Sequence, residues 1–192
     1  NKKILIKNIH NDLKRMNQLI NDISKFARLK AEIELEKNQY IYISSFLDEI
    51  PKFFTNNNKE IEFILENKQE NIQVIANKNK LFRVFINLIE NSISLSPKKS
   101  KIFLELKKLD NTKISIKIYD QGSGIHLKDS EKIFERFYSD RQENINNHTG
   151  LGLSIAREII THMNGKLFLD KSDKSQYSGA CFLIILPIKH NS

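Results

Sequence analysis

Between residues 6 and 27 the apolar side chains fall at Ile6, Ile9, Leu13, Met16, Ile20, Ile23 and Ala27, at alternating spacings of three and four. Asn, Asp, Lys and Arg fill most of the positions between them. This is an a/d seam sustained over three heptads, and it predicts a coiled-coil-like helix whose apolar edge needs partner helices, with an amphipathic helix lying on its own domain as the alternative. After the charged stretch LKAEIELEKN the pattern changes. QYIYI (39–43) predicts a short strand, and SSFLDEIPKFF (44–54) a helix with a Ser cap and Pro51 near its first turns. EIEFILE (60–66) and NIQVIA (71–76) predict short strands around a polar turn. LFRVFINLIENSISLS (81–96) has helical periodicity and is stopped by Pro97. IFLELKKL and KISIKIY alternate on either side of Asp110-Asn111-Thr112 as a hairpin does. Residues 126–149 lack a regular pattern. GLGLSIAREIITHM (150–163) reads as a helix closed by Asn164–Gly165, followed by two strands, KLFLD and ACFLIILP. Strands mingled with three helices predict an α+β fold, a two-layer α/β sandwich with a mixed sheet on three helices. The expected division is residues 1–37 for the N-terminal helix and 38–192 for the sandwich. No internal repeat is visible.

No apolar run approaches the ~18 residues that a membrane-spanning helix needs, and no signal peptide is visible in these residues. The first residue is Asn, so the chain is expected to be a piece of a longer protein, with an upstream membrane anchor left open. The lone Cys181 excludes an internal disulfide and a cysteine-based zinc cluster; in an apolar strand it is expected to be a buried, inert thiol. The net charge of +8 would suit a nucleic-acid partner. The lysines are scattered, however, and no basic block alternates with aromatics. A nucleic-acid role rests on charge alone and is not expected.

The chain holds six glycines, of which four stand in two clusters, YDQGSGI (119–125) and TGLGL (149–153). In the first, a strand ends in Asp120 and then meets Gly122 and Gly124. Such a turn lets backbone lie close to a flat ligand, and the Asp can accept a hydrogen bond from an exocyclic amine. Read alone, D-x-G-x-G is equally an ordinary hairpin turn. In the second cluster Gly150 and Gly152 stand at a helix entrance, where free N–H groups and partial positive charge suit phosphates; a plain N-terminal turn capped by Thr149 is the alternative. INLIENSI places Asn87 and Asn91 four apart, hence on one helix face. Their neutral amide oxygens can help ligate Mg²⁺ that keeps most of its waters, or they form a polar stripe at the solvent boundary. KIFERFY (132–138) is an amphipathic anchor that would plug a loop onto the domain.

In this order and spacing, the four patches resemble the ATP-binding domain of sensor histidine kinases of two-component systems, a Bergerat-type member of the GHKL class. NLIEN resembles the N box, DQGSG the first glycine box, IFERFY the F box and GLGL the second glycine box. RMNQLINDISKFARLKAEIELEK is similar to the second helix of the dimerisation and phosphotransfer bundle. NSISLSP, FERFYSDR and NHTGLGLS resemble the ChvG/ExoS-type kinases of alphaproteobacteria. The resemblance implies ATP and Mg²⁺ as cofactors, with Asn91 as the metal ligand and Asn87 supporting the same face. It implies that Asp120 receives the adenine amine, with Gly122, Gly124 and Ile125 shaping that wall. Residues 139–149 would form a lid pinned by Phe134 and Phe137, with Arg141 or Arg136 assisting at the γ-phosphate. Gly150, Leu151, Gly152 and Leu153 would meet the phosphates. It further implies a response regulator and a homodimer as partners, and a place at the cytoplasmic side of the bacterial inner membrane.

Three departures stand out. Ser94 occupies a position where the family often has a phosphate-contacting Lys or His, which leaves Lys98 or Lys99 to reach in. Ala180 stands where a Thr commonly supports the Asp, a task left to water or Ser178. Asn87 replaces the Glu that activates water in related hydrolases, as suits an enzyme that keeps ATP for transfer. No His lies in an H-E/D-x-x-x-P-like motif. His10 falls in the second-helix region, and His126, His148, His162 and His190 have no partners at metal-ligand spacing. The phosphoacceptor is therefore expected upstream. A catalytically silent ATP-binding or dimerising module is the rival reading.

Overall fold

The computed structural model describes residues 37–57, 61–67, 71–125, 129–138 and 150–189, together with positions 6, 9, 10, 13, 16, 17, 20 and 24. Those eight N-terminal positions are all helical and exposed. The rest of the predicted coiled-coil-like helix lies outside the described residues.

Seven strands and three helices follow: β1 (Gln39–Tyr42), α1 (Ile43–Asn57), β2 (Glu62–Asn67), β3 (Gln73–Ala76), α2 (Lys78–Leu95), β4 (Lys101–Lys108), β5 (Lys113–Tyr119), α3 (Gly152–His162), β6 (Lys166–Asp170) and β7 (Cys181–Pro187). A short 3-10 turn, Lys132–Phe134, precedes α3. The main sheet runs β2-β4-β5-β7-β6, with β2 parallel to β4 and the other neighbours antiparallel. β1 and β3 form a separate antiparallel pair. The period-two patterns of β4, β5 and β7 send Ile102, Leu104, Ile116, Ile118, Ile184 and Leu186 to one face, all 2 % exposed or less. The helices bury Leu47, Phe85, Leu88, Ile89, Ala156 and Ile160 against that face. This is the expected two-layer sandwich.

Local differences have physical reasons. The first helix begins at Ile43, whose N–H bonds to Ile72 O at 3.0 Å, so the predicted Ser cap is corrected. Pro51 then falls inside the helix, not in its first turns; tertiary burial of Phe46, Leu47 and Ile50 holds the helix together around it. α2 starts three residues earlier than its apolar pattern, because Asn77 caps it by accepting from Lys80 N at 3.0 Å. β2 and β3, contiguous in sequence, belong to different sheets.

The outer face of the sheet is covered by the segment joining β6 to β7. Tyr177 packs with Phe103, Tyr119 and Cys181. Lys174 lies 4.5 Å from the Phe103 ring centre and 3.2 Å from Glu105. Tyr119 donates to Asp173 at 2.7 Å. These contacts fix the segment that ends in Gly179 and Ala180, and that end borders the site.

Candidate nucleotide site

β5 ends at Tyr119 and delivers Asp120 into a turn where the carboxylate is 1 % exposed. Its Oδ1 accepts from Gly122 N and Ala180 N, each at 2.9 Å. The backbone closes the same corner, with Asp120 N donating to Ala180 O and Gly179 N to Asp120 O, both at 3.1 Å. Oδ2 has no protein partner. Burial pushes the carboxyl above its ordinary range, and the hydrogen bonds from Gly122, Ala180 and Ser92 only partly offset this. Ser92 lies close enough to favour the charged form, yet its hydroxyl and Oδ2 do not close a well-shaped hydrogen bond.

The glycines here are dictated by contact. A Cβ on Gly179 would strike Asp120 Oδ1 and stand 2.5 Å from Gly122 N. A Cβ on Gly122 would stand 2.9 Å from Leu95 O. Gly124 has φ +76°, a conformation that glycine adopts without penalty.

α2 connects this turn to the second glycine cluster. Its last residue, Leu95, abuts Gly122, whereas Asn87 faces Gly152, where a Cβ would stand 3.7 Å from Asn87 Cγ. Eight residues of helix separate Asn87 from Leu95, about 12 Å along the axis. Asn91 is half-buried midway between them. Asn87 Nδ2 is buried with no hydrogen-bond partner. Ser94 turns its hydroxyl back onto Asn91 O at 2.8 Å. Lys98 and Lys99 are exposed.

α3 opens at Gly152, with Leu151 at the cap and no side-chain cap hydrogen bond. The alternative of a Thr149 cap lies outside the described residues; the first N–H groups of α3 have no partner within the helix. Gly150, at φ +70°, accepts from Phe137 N at 3.1 Å, and a Cβ there would stand 2.6 Å from Tyr138 O. The aromatic anchor therefore locks to the glycine pair through backbone. Phe134 is buried with Ile133, but Phe137 is 53 % exposed, so the plug is Ile133 and Phe134. Arg136 pairs with Glu158 at 3.3 Å.

Several partners were not foreseen. Arg157 forks onto Glu131 at 2.8 and 3.1 Å, donates from Nε to Leu167 O at 3.1 Å, and covers the Phe134 ring at 4.1 Å. Ser92 and Gly179 belong to the Asp120 corner. The signals available were a Ser beside Asn91 in an apolar helix and a solitary Gly before a strand. Arg141, His126, His148, His190 and the expected lid at 139–149 lie outside the described residues. His162 ends α3, exposed. Burial pushes the Cys181 thiol up to about 12, which keeps it inert.

The fold and this corner define a two-layer sandwich with a helix entrance and a buried carboxylate at opposite ends of one Asn-bearing helix. The chain belongs to the histidine kinase-, DNA gyrase B- and HSP90-like ATPase family, whose model matches residues 76–190. It is similar to the sensor protein ChvG of Rhizobium meliloti (strain 1021), 31 % identical over 199 residues that cover 97 % of this chain and 34 % of that protein. The chain thus spans about a third of that relative's length. The mycobacterial sensor histidine kinase MprB superposes with a TM-score of 0.70 at 25 % identity, over 79 % of this chain and 98 % of that one. Histidine kinase ThkA in complex with response regulator TrrA shares the fold, with a TM-score of 0.66 at 24 % identity over 90 % and 50 % of the two chains.

Proposed function

We propose that the chain is the catalytic portion of a two-component sensor histidine kinase. Residues 38–192 bind Mg-ATP, and residues 1–37 form the second helix of a dimerising phosphotransfer bundle. The complete protein sits at the cytoplasmic face of the bacterial inner membrane and passes its phosphoryl group to a response regulator, as the ThkA–TrrA pairing suggests for a protein of this fold.

One observation carries the reading. Asp120 Oδ2 and Asn87 Nδ2 are buried polar atoms without protein partners, and they lie toward opposite ends of α2. Orphaned buried groups are costly, and a ligand with an amine at one end and anionic oxygens at the other satisfies both. Asp120 accepts the adenine amine, with Gly122, Gly124 and Ile125 giving backbone and apolar approach. The N–H groups at the α3 entrance, of Leu151, Gly152 and Leu153, with Gly150, receive phosphate oxygens. Among the described residues no group of three or more His, Cys, Asp or Glu gathers. Magnesium held here would take the Asn91 amide oxygen, water and phosphate oxygens, and would neutralise phosphate charge. Asn87, being an amide, cannot take a proton from water, so it favours transfer over hydrolysis. In transfer, the bond from the γ-phosphorus to the β,γ-bridging oxygen breaks and a P–N bond to imidazole forms, with ADP leaving.

Titration of the 192-residue protein with ATP, with and without Mg²⁺, tests the reading. Saturable binding strengthened by Mg²⁺ and reduced at least ~10-fold by Asp120→Ala is expected. No binding at millimolar ATP, or indifference to Asp120→Ala, rejects it.

A further inference from the structure

Every other hydroxyl with a described bond on α2 or α3 returns to its own helix. Ser94 bonds to Asn91 O, Ser154 to Leu151 O and Thr161 to Arg157 O, at 2.8–2.9 Å. Ser92 does not. It is fully buried, and its Oγ has no partner. The other orphan in the same corner is Asp120 Oδ2, whose sister oxygen is already held by two backbone N–H groups. A buried donor and a buried anionic acceptor, close enough for the hydroxyl to favour the charged carboxylate and both unsatisfied, complete each other when the Ser92 side chain turns toward Oδ2.

We propose that Ser92 is a positioning residue for the base-binding wall: its hydroxyl donates to Asp120 Oδ2, holding the carboxylate ionised and its remaining lone pair aimed at the amine of an adenine-type ligand. The inference rests on the nucleotide reading above, and it assigns this role to a side chain of α2. Position 180 is Ala and supplies only its backbone N–H. The 179–180 segment thus offers backbone donors, the glycine turn offers Gly122 N–H, and α2 offers the one side-chain hydroxyl. Among the described residues no charged side chain contributes to the titration of Asp120. Its ionisation therefore depends on these neutral donors, and Ser92 is the only one of them that a substitution can remove without touching the backbone.

The test uses the 192-residue protein and two readouts. The first is the ¹³C carboxyl titration of Asp120 by NMR without nucleotide, in wild type and Ser92→Ala. Alanine favours a helix interior, and amide spectra control for folding; Ser92→Cys, with its weak donor, is the second variant should Ala fail to fold. The Asp120 midpoint is expected to rise in the variant, since a donor to the charged form is lost. The second readout is ATP affinity at neutral pH, expected to fall about tenfold. An unmoved midpoint overturns the proposal whatever ATP does. A raised midpoint with unchanged affinity, in a wild type that binds ATP, overturns the ligand-positioning role. If wild type binds no ATP, the kinase reading fails and the positioning role with it, while the midpoint alone still decides the Ser92–Asp120 hydrogen bond.

Discussion

Asp120 is a buried carboxylate with two backbone donors and, among the described residues, no cation beside it, and that combination has a cost in the ligand-free fold. Its pKa is raised by burial, so the folded state holds its proton to higher pH than the unfolded chain does. Stability contributed by this group is therefore present at low pH and is lost as pH rises from the ordinary Asp range through the folded pKa. Above the folded pKa the charge is a net expense in the ligand-free fold. Asp120→Asn keeps an oxygen for Gly122 N and Ala180 N and places an amide NH₂ donor beside the Ser92 hydroxyl. The ligand-free variant is expected to be more stable than wild type by on the order of 1 kcal/mol at pH 7, with the gain shrinking toward pH 4. Urea denaturation at both pH values measures this; a loss of stability at pH 7 would show the carboxylate to be structural.

α2 and α3 act as rigid spacers, and the side chains that join them to loops matter more than their length. Arg157 binds the Glu131–Phe134 turn to α3 by a fork, a carbonyl bond and ring packing. Lysine cannot reproduce that planar geometry. Arg157→Lys is expected to cost about 1 kcal/mol, mostly through packing and the Leu167 bond, since Glu131 is 74 % exposed and screened. Hydrogen exchange should quicken across residues 131–138 but not in β5. The pairing with Arg157 holds the Glu131 carboxyl below its ordinary range, so that share of the difference is present at neutral pH and vanishes as acid protonates Glu131. Equal exchange in both proteins would sink the clamp. α1 and α2 show how far patterning reaches. Apolar periodicity placed α2 because its buried face is wide and continuous, yet it missed the first turn, which is held by the Asn77 cap and not by burial. It read Pro51 as a start signal because local propensity favours proline there, whereas Phe46, Leu47 and Ile50 sustain the helix past it. The glycine clusters were readable because each lies in a motif of fixed spacing. Gly179, Ser92 and Arg157 act through contacts from distant parts of the chain, which no local spacing encodes.

Taken as a whole, the molecule joins an ATP-binding sandwich to a seam whose described apolar residues stand exposed in a single copy. Ile6, Ile9, Leu13, Met16 and Ile20 are each more than half exposed, although their spacing is that of buried a/d positions. Exposure of such a stripe is unfavourable by the apolar area it leaves in water, and a bundle with a second copy is the simplest way to cover it. Sandwich and seam are separate in this respect, because none of these five described residues belongs to the sandwich core. Changing the seam should therefore alter assembly without altering nucleotide affinity. In sedimentation equilibrium the wild-type chain is expected to dimerise as its concentration rises, and Leu13→Glu to remain monomeric with an unchanged Kd for ATP. The charge enters the middle heptad, where a buried carboxylate would have no partner. A Leu13→Glu protein that still dimerises would place the self-association surface elsewhere. One that loses ATP binding would mean that seam and sandwich are energetically one body, and that residues 1–37 are part of the nucleotide-binding fold.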